Sequence, residues 1–198
     1  MKRFYAKLHL IMWARDEESL GGRRPLEELA AACQGSDRKA QKRLFNALAP
    51  KMMAVCLRYM GNREDAEDVL QEGFVTLFTK LDSYSGAGSF EGWARKIFVN
   101  TALMHLRKTN VLGDSEDIQE ARSLSSEEAT PLEKMGYAEL MKIISQLPPD
   151  ARTVFNMYVV EGYSHKEIAA TLGCTEATSR SKLQRARVQL QEMIKARR

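Results

Sequence analysis

The chain has 198 residues, 44% of them hydrophobic, three widely spaced cysteines and a formal charge of +4 at pH 7. That length holds one large domain or two small ones, and the mildly basic balance permits a nucleic-acid partner without requiring it. The odd set of Cys33, Cys56 and Cys174 argues against a disulfide framework and a zinc site, and no apolar run is long enough to span a membrane.

Strand patterns are sparse and helical periodicity is nearly continuous, so the expected class is all-α. Residues 1–25 carry mixed charge and a Gly21-Gly22 break, and they read as a disordered extension. The apolar stretch from Phe4 to Trp13 is broken by Lys7 and His9 and is too short for a convincing signal peptide. A helix begins at Leu26. Asp37 can cap a longer one whose stripe is Ala40, Leu44, Leu48, Met52, Val55 and Tyr59. Pro50 falls inside it and predicts a kink or a break near Ala49.

Gly61 ends that helix and Asn62 can cap the next, residues 63–81. Ala66, Leu70, Gly73, Phe74, Leu77, Phe78 and Leu81 share one side, with Asp65, Asp68 and Glu72 opposite. Acidity in the first turn complements the helix dipole, which accounts for Glu64 and Asp65. Asp68 and Glu72 lie deeper. They are either plain solvated surface or a ridge for a basic partner, and a carboxylate metal site lacks its Glu-x-x-His companions.

The segment SYSGAGSF, residues 83–90, is a Gly- and Ser-rich loop without the Lys and Ser/Thr of a phosphate loop. After it, FEGWARKIFVNTALMHLRK predicts one helix. Phe90, Trp93, Ala94, Ile97, Thr101 and Met104 form one apolar line; Val99, Leu103 and Leu106 form another. Arg95, Lys96, Asn100 and His105 stand between the lines. Basic residues among aromatics beside a flexible loop suit a single strand with its bases turned outward, although core aromatics with ordinary surface charges give a similar composition.

Residues 111–133 are acidic and serine-rich, the composition of a flexible linker. Beyond them, Leu140, Ile143, Ile144 and Leu147 mark a short helix, and residues 150–161 another with Val154, Phe155 and Tyr158 inward. Ser164 and Glu167 have capping-box spacing, Gly173 supplies a tight turn and Thr175 can cap a helix running to Ile194. This is a helix-turn-helix pattern. On its second helix Ser179, Leu183, Ala186 and Leu190 face inward, while Arg180, Ser181, Lys182, Gln184 and Arg185 supply groups suited to base edges and phosphates. A solvated basic face is the plainer alternative. His165 reads as solvated surface or a phosphate contact.

Three motifs in this order resemble the extracytoplasmic-function sigma factors of the sigma-70 family. REDAEDVLQEGF is similar to their polymerase-binding helix, FEGWARKIFVNTALMHLRK to their promoter-melting helix, and residues 147–187 to their promoter-binding C-terminal domain. The resemblance implies that Asp65, Asp68, Gln71 and Glu72 contact core RNA polymerase at its beta-prime clamp helices, with the beta flap as a second contact. It implies that Asn100, Arg95, Lys96 and the loop residues Ser83, Tyr84, Gly86 and Ser89 bind the −10 element. Arg180, Ser181, Lys182, Gln184 and Arg185 would bind the −35 element. This sequence departs from the family at Ser179 and Gly73, where larger residues are usual.

The expected architecture is therefore two small helical domains, residues 26–110 (region 2-like) and 134–198 (region 4-like helix-turn-helix), joined by the acidic linker. Core polymerase and double- and single-stranded promoter DNA are the expected partners, with an anti-sigma factor allowed by the resemblance. A cytoplasmic location, no enzymatic activity, no small-molecule substrate, no metal and no cofactor complete the reading. The competing readings are a stand-alone helix-turn-helix regulator and an enzyme built on the carboxylates near Asp68. The first would pair that domain with a ligand, receiver or dimerisation domain; the second lacks a His partner or nucleophile.

Overall fold

The structure, a computed structural model, describes residues 24–34, 37–109 and 136–196. The expected N-terminal extension, apart from Arg24 and Pro25, and the expected linker lie outside the described residues. Eight α-helices are described: α1 Arg24–Gln34, α2 Arg38–Met60, α3 Arg63–Thr79, α4 Phe90–Lys108, α5 Tyr137–Ile144, α6 Pro149–Phe155, α7 His165–Leu172 and α8 Glu176–Lys195. Helices α1–α4 form one compact unit and α5–α8 another.

Local chemistry starts and stops these helices. Asp37 accepts a hydrogen bond from the Lys39 N–H at 2.8 Å and Asn62 one from Asp65 at 2.9 Å. Gly61 takes φ 78° to close α2. Ser164 and Glu167 form the reciprocal capping box, with bonds of 3.2 and 2.8 Å, and Gly173 turns the chain at φ 70°. Helix α1 begins at Arg24, ahead of the expected Leu26, and α3 stops at Thr79, followed by a 3-10 turn over Leu81–Ser83.

Of the kink or break expected near Ala49, the break does not occur: helix α2 runs unbroken through Pro50. Leu48 and Met52, on either side, are fully buried, so packing outweighs the one backbone hydrogen bond that proline removes. The second helix expected over residues 150–161 is α6 followed by a π-helical turn, Asn156–Val160. The wider turn shifts helical phase, and Tyr158, expected inward, is 37% exposed.

In the first unit α2 packs on α1, α3 and α4. Its Leu44, Leu48, Met52, Val55 and Tyr59 meet Ala66, Val69, Phe74 and Leu77 of α3 and Phe90, Ala94, Phe98 and Ala102 of α4 in one buried core. Leu70 and Phe78 reach it only partly, and Met104, expected in the α4 core line, is 57% exposed. Cys56 is enclosed there, and burial pushes its thiol up to about 12. In the second unit α8 packs on α5, α6 and α7 through Leu183, Ala186, Leu190 and Ile194.

Gly73 is explained by this packing. A Cβ at that position would lie 2.4 Å from two carbons of the fully buried Phe98 ring, so the missing side chain lets α3 and α4 meet. The helix-propensity gain of Gly73→Ala, about 1 kcal/mol at most, is smaller than overpacking at about 1–3 kcal/mol. Gly73→Ala should therefore lower the thermal unfolding midpoint read by circular dichroism, and should cost less in a Phe98→Leu background. An equal cost in both backgrounds would show that Phe98 is not the obstacle.

Candidate functional site

The acidic residues of α3 border a groove of about 650 Å³ between α3 and α4. Asp68, Gln71 and Glu72 line it from α3, with Thr101, Met104, His105 and Lys108 from α4. Asp68 and Gln71 are exposed, and Glu72 lies 3.7 Å from the Lys108 ammonium with both side chains more than half exposed, a pairing that contributes little stability. Asp65 is not among the lining residues. Its carboxylate accepts a 2.7 Å hydrogen bond from the Asn62 side chain, so it belongs to the α3 cap.

The groove also has an apolar component that sequence reasoning missed. Val75 is 67% exposed and Met104 57% exposed, and both line it. The signal for Val75 was available: Asp68, Glu72 and Val75 are spaced i, i+4, i+7 and share one helix face. Met104 gave no such signal, because its spacing fits a core line equally well.

The loop before α4 is ordered by aromatic contacts. The Tyr84 ring stands edge-on to Phe90 at 5.1 Å and tilts against Trp93 at 5.4 Å, and its hydroxyl donates to the Gly88 carbonyl at 2.8 Å. Gly86 and Gly88 adopt φ 76° and 81°, backbone that side chains avoid, with open space around each. Ser83 donates to the Lys80 carbonyl, and Ser89 caps α4 by accepting from the Gly92 N–H at 3.1 Å. Further along α4, Trp93, Lys96 and Asn100 follow at helical spacing, the last two exposed. Arg95 departs from this ridge. It is 12% exposed and lies 3.6 Å from Glu91, which also holds Lys51 at 2.7 Å.

In the helix-turn-helix, Arg180 and Ser181 are exposed and Gln184 and Arg185 half-buried, opposite the buried Ser179, Leu183, Ala186 and Leu190. Arg180 pairs with Glu176 one turn back at 2.6 Å. Lys182 is turned elsewhere: its ammonium lies 3.5 Å from Asp150 of α6, with only 14% of the side chain exposed. It ties α8 to α6 rather than joining the outward set.

His165, expected as solvated surface or a phosphate contact, is half-buried and has two partners within its own unit. Its ring stacks on Tyr158 at 4.5 Å, and its Nδ1 lies 2.9 Å from the hydroxyl of the fully buried Ser179. The small residue at position 179 is thus matched by an imidazole from α7, and a hydrogen bond joins the two helices where apolar packing would otherwise serve. Burial pulls the His165 pKa below its ordinary 6.5, and Arg180 and Arg187 push the same way against Glu176. A depressed histidine pKa means the unfolded chain binds the proton more tightly. The His165 contribution to stability is therefore intact above 6.5 and is lost as pH falls from that value through the lower folded-state pKa. Imidazole proton shifts in the full chain should show His165 titrating below 6.5, and His165→Gln should flatten the acid limb of unfolding. A His165 midpoint at or above 6.5 would contradict this environment.

These surfaces coincide with two known families. The sigma-70 region 2 family matches residues 44–111 and the sigma-70 region 4 family matches residues 137–190. An ECF RNA polymerase sigma-E factor of Haemophilus influenzae is 30% identical over 179 residues, covering 85% of this chain and 94% of that protein. The ECF RNA polymerase sigma-E factor of Escherichia coli is 33% identical over 170 residues, covering 80% and 88%. The ECF RNA polymerase sigma factor SigE of Mycolicibacterium smegmatis is 32% identical over 151 residues, and the match spans 74% of this chain and 58% of that longer protein. A stand-alone helix-turn-helix regulator would share the C-terminal match without the one at residues 44–111. With both regions present in order, the chain belongs to the extracytoplasmic-function sigma factors, the sigma-70 family members that direct RNA polymerase to promoters.

Proposed function

We propose that the α3–α4 groove is the surface that binds the beta-prime clamp helices of core polymerase. The observation that carries this reading is the side-by-side exposure of Asp68, Gln71 and Glu72 with Val75 and Met104. Acidic groups favour a basic helical partner and speed its encounter, while the apolar pair supplies area that gains from burial. Asp65 acts through the cap that starts α3. No reaction is assigned to these carboxylates.

The 83–89 loop and the Trp93, Lys96, Asn100 ridge form the −10 surface in this reading. Asn100 can both donate and accept hydrogen bonds, and the open space at Gly86 and Gly88 leaves room for an extruded base. Arg95 supports the helix start through Glu91 instead of meeting DNA. Arg180, Ser181, Gln184 and Arg185 form the −35 surface, with Lys182 left out because Asp150 holds it. In this reading the two DNA-binding units are residues 26–110 and 134–198 with 111–133 as a linker; the family matches at 44–111 and 137–190 agree with two units in this order but not with those exact limits.

Two outcomes test the assignments. Reversing both charges, Asp68→Lys with Glu72→Lys, should abolish co-purification with core polymerase while the helical circular-dichroism signal persists; wild-type affinity in the double variant would remove the groove from the interface. Asn100→Ala should leave core binding intact and impair strand opening, which costs a few kcal/mol per extruded base. A promoter with a pre-melted bubble should restore most of that loss. Permanganate reactivity of thymines near the start site reads the opening, and a variant that opens duplex promoter like wild type would clear Asn100 of this role.

A further inference from the structure

Helix α1 precedes the residues matched by the region 2 family, yet it holds the base of α4. Glu27 Oε1 accepts a hydrogen bond from the Phe90 N–H at 3.1 Å, across 63 residues of chain. Phe90 is the first residue of α4, and its N–H is one of the groups that a helix cannot satisfy internally. The carboxylate thus caps α4 from another helix and faces the positive end of its dipole. The other oxygen, Oε2, is shielded and has no hydrogen-bond partner among the described residues. Leu26, Ala30 and Cys33 are buried and anchor α1, which packs on both α2 and α4. The Glu27 charge also reaches the loop, where desolvation first and Glu27 second raise the Tyr84 pKa.

We propose that Glu27 is a positioning residue for promoter opening, fixing Phe90 and, through the ring resting on it, Tyr84 and the 83–89 loop. This rests on the assignment of that loop and Asn100 to the −10 element. Phe90 is fully buried and its ring lies 5.4 Å from Trp93, so the Glu27 bond sets where the exposed ridge of α4 begins. Losing it leaves an orphan N–H at a shielded helix start and loosens the loop against which an extruded base must be held.

The experiment uses the full chain with core polymerase and a duplex promoter, reading thymine reactivity to permanganate per bound holoenzyme. Glu27→Ala should open promoter on the order of tenfold more slowly, the loss of one charge-assisted cap, with core co-purification unchanged. Glu27→Gln keeps an acceptor oxygen at the same reach and should restore most of the rate. Glu27→Asp keeps the charge but withdraws the oxygen, and should behave like Ala. A merely structural role would move core binding and opening together and would not separate Gln from Asp. Should Glu27→Ala destabilise the unit, the Gln and Asp variants decide alone. Equal opening by Gln and Asp would overturn the positioning role. Normal opening by Glu27→Ala beside impaired opening by Asn100→Ala would overturn it while leaving the −10 assignment standing. Normal opening by both would remove that assignment and this inference with it.

Discussion

The α1–α4 unit depends on the close meeting of α3 and α4 at Gly73 and Phe98. A ring of that size can be fully buried against α3 only because position 73 carries no side chain. Phe98 then turns its edge to Phe74 at 5.0 Å, and Phe74 tilts against Phe45 at 4.4 Å and stacks on Phe78 at 6.1 Å. Aromatic contacts of this kind contribute beyond their buried area, and they lock the register of the two helices. With that register fixed, Asp68 and Glu72 come to border the same groove as Met104 and Lys108. The groove is thus a consequence of core geometry.

Polar contacts at helix ends set the second level of organisation. Helix α4 is held at its start by Ser89 within its own chain segment, by Glu27 from α1 and by the Glu91–Lys51 pair to α2, whose side chains are both 17% exposed. At that burial the pair gains more from Coulomb attraction than an exposed pair would, and Glu91 also lies 3.6 Å from Arg95. The second unit uses the same device. Lys182 reaches Asp150, and Arg152 donates to the Ser145 and Leu147 carbonyls at the end of α5. In both units some basic residues serve as struts, and the cationic surface left for DNA is smaller than the charge count alone indicates.

Residues that the helical wheel treats as equivalent were separated by their neighbours. The stripe of α2, the caps at Asp37, Asn62, Ser164 and Thr175, and the turn at Gly173 follow from spacing and from which side chains accept backbone hydrogen bonds. These are local effects, and they were legible without coordinates. The two-unit all-α organisation was legible for the same reason, as was the inward set of α8. Membership of the sigma family added roles for residues that their own chemistry left open between surface and site.

Tertiary structure decided what each exposed or charged side chain faces, because that depends on elements distant in sequence. Arg95 and Lys182 carry the charge suited to DNA but find carboxylates on their own unit. Met104 looks like a core candidate yet lies exposed with Val75 beside the acidic ridge, where no described helix of the unit covers that side of α3 and α4. His165 and Ser179, fourteen residues apart, become a bonded pair only when α7 folds against α8. Tyr158 moved outward because a π turn inserted one extra residue per turn, a change of phase that α-helical spacing does not anticipate. Sequence determined the helices, their caps and their apolar stripes, where the governing interactions span a turn or less. The partner of each polar side chain came from packing, where the governing distance is measured through space.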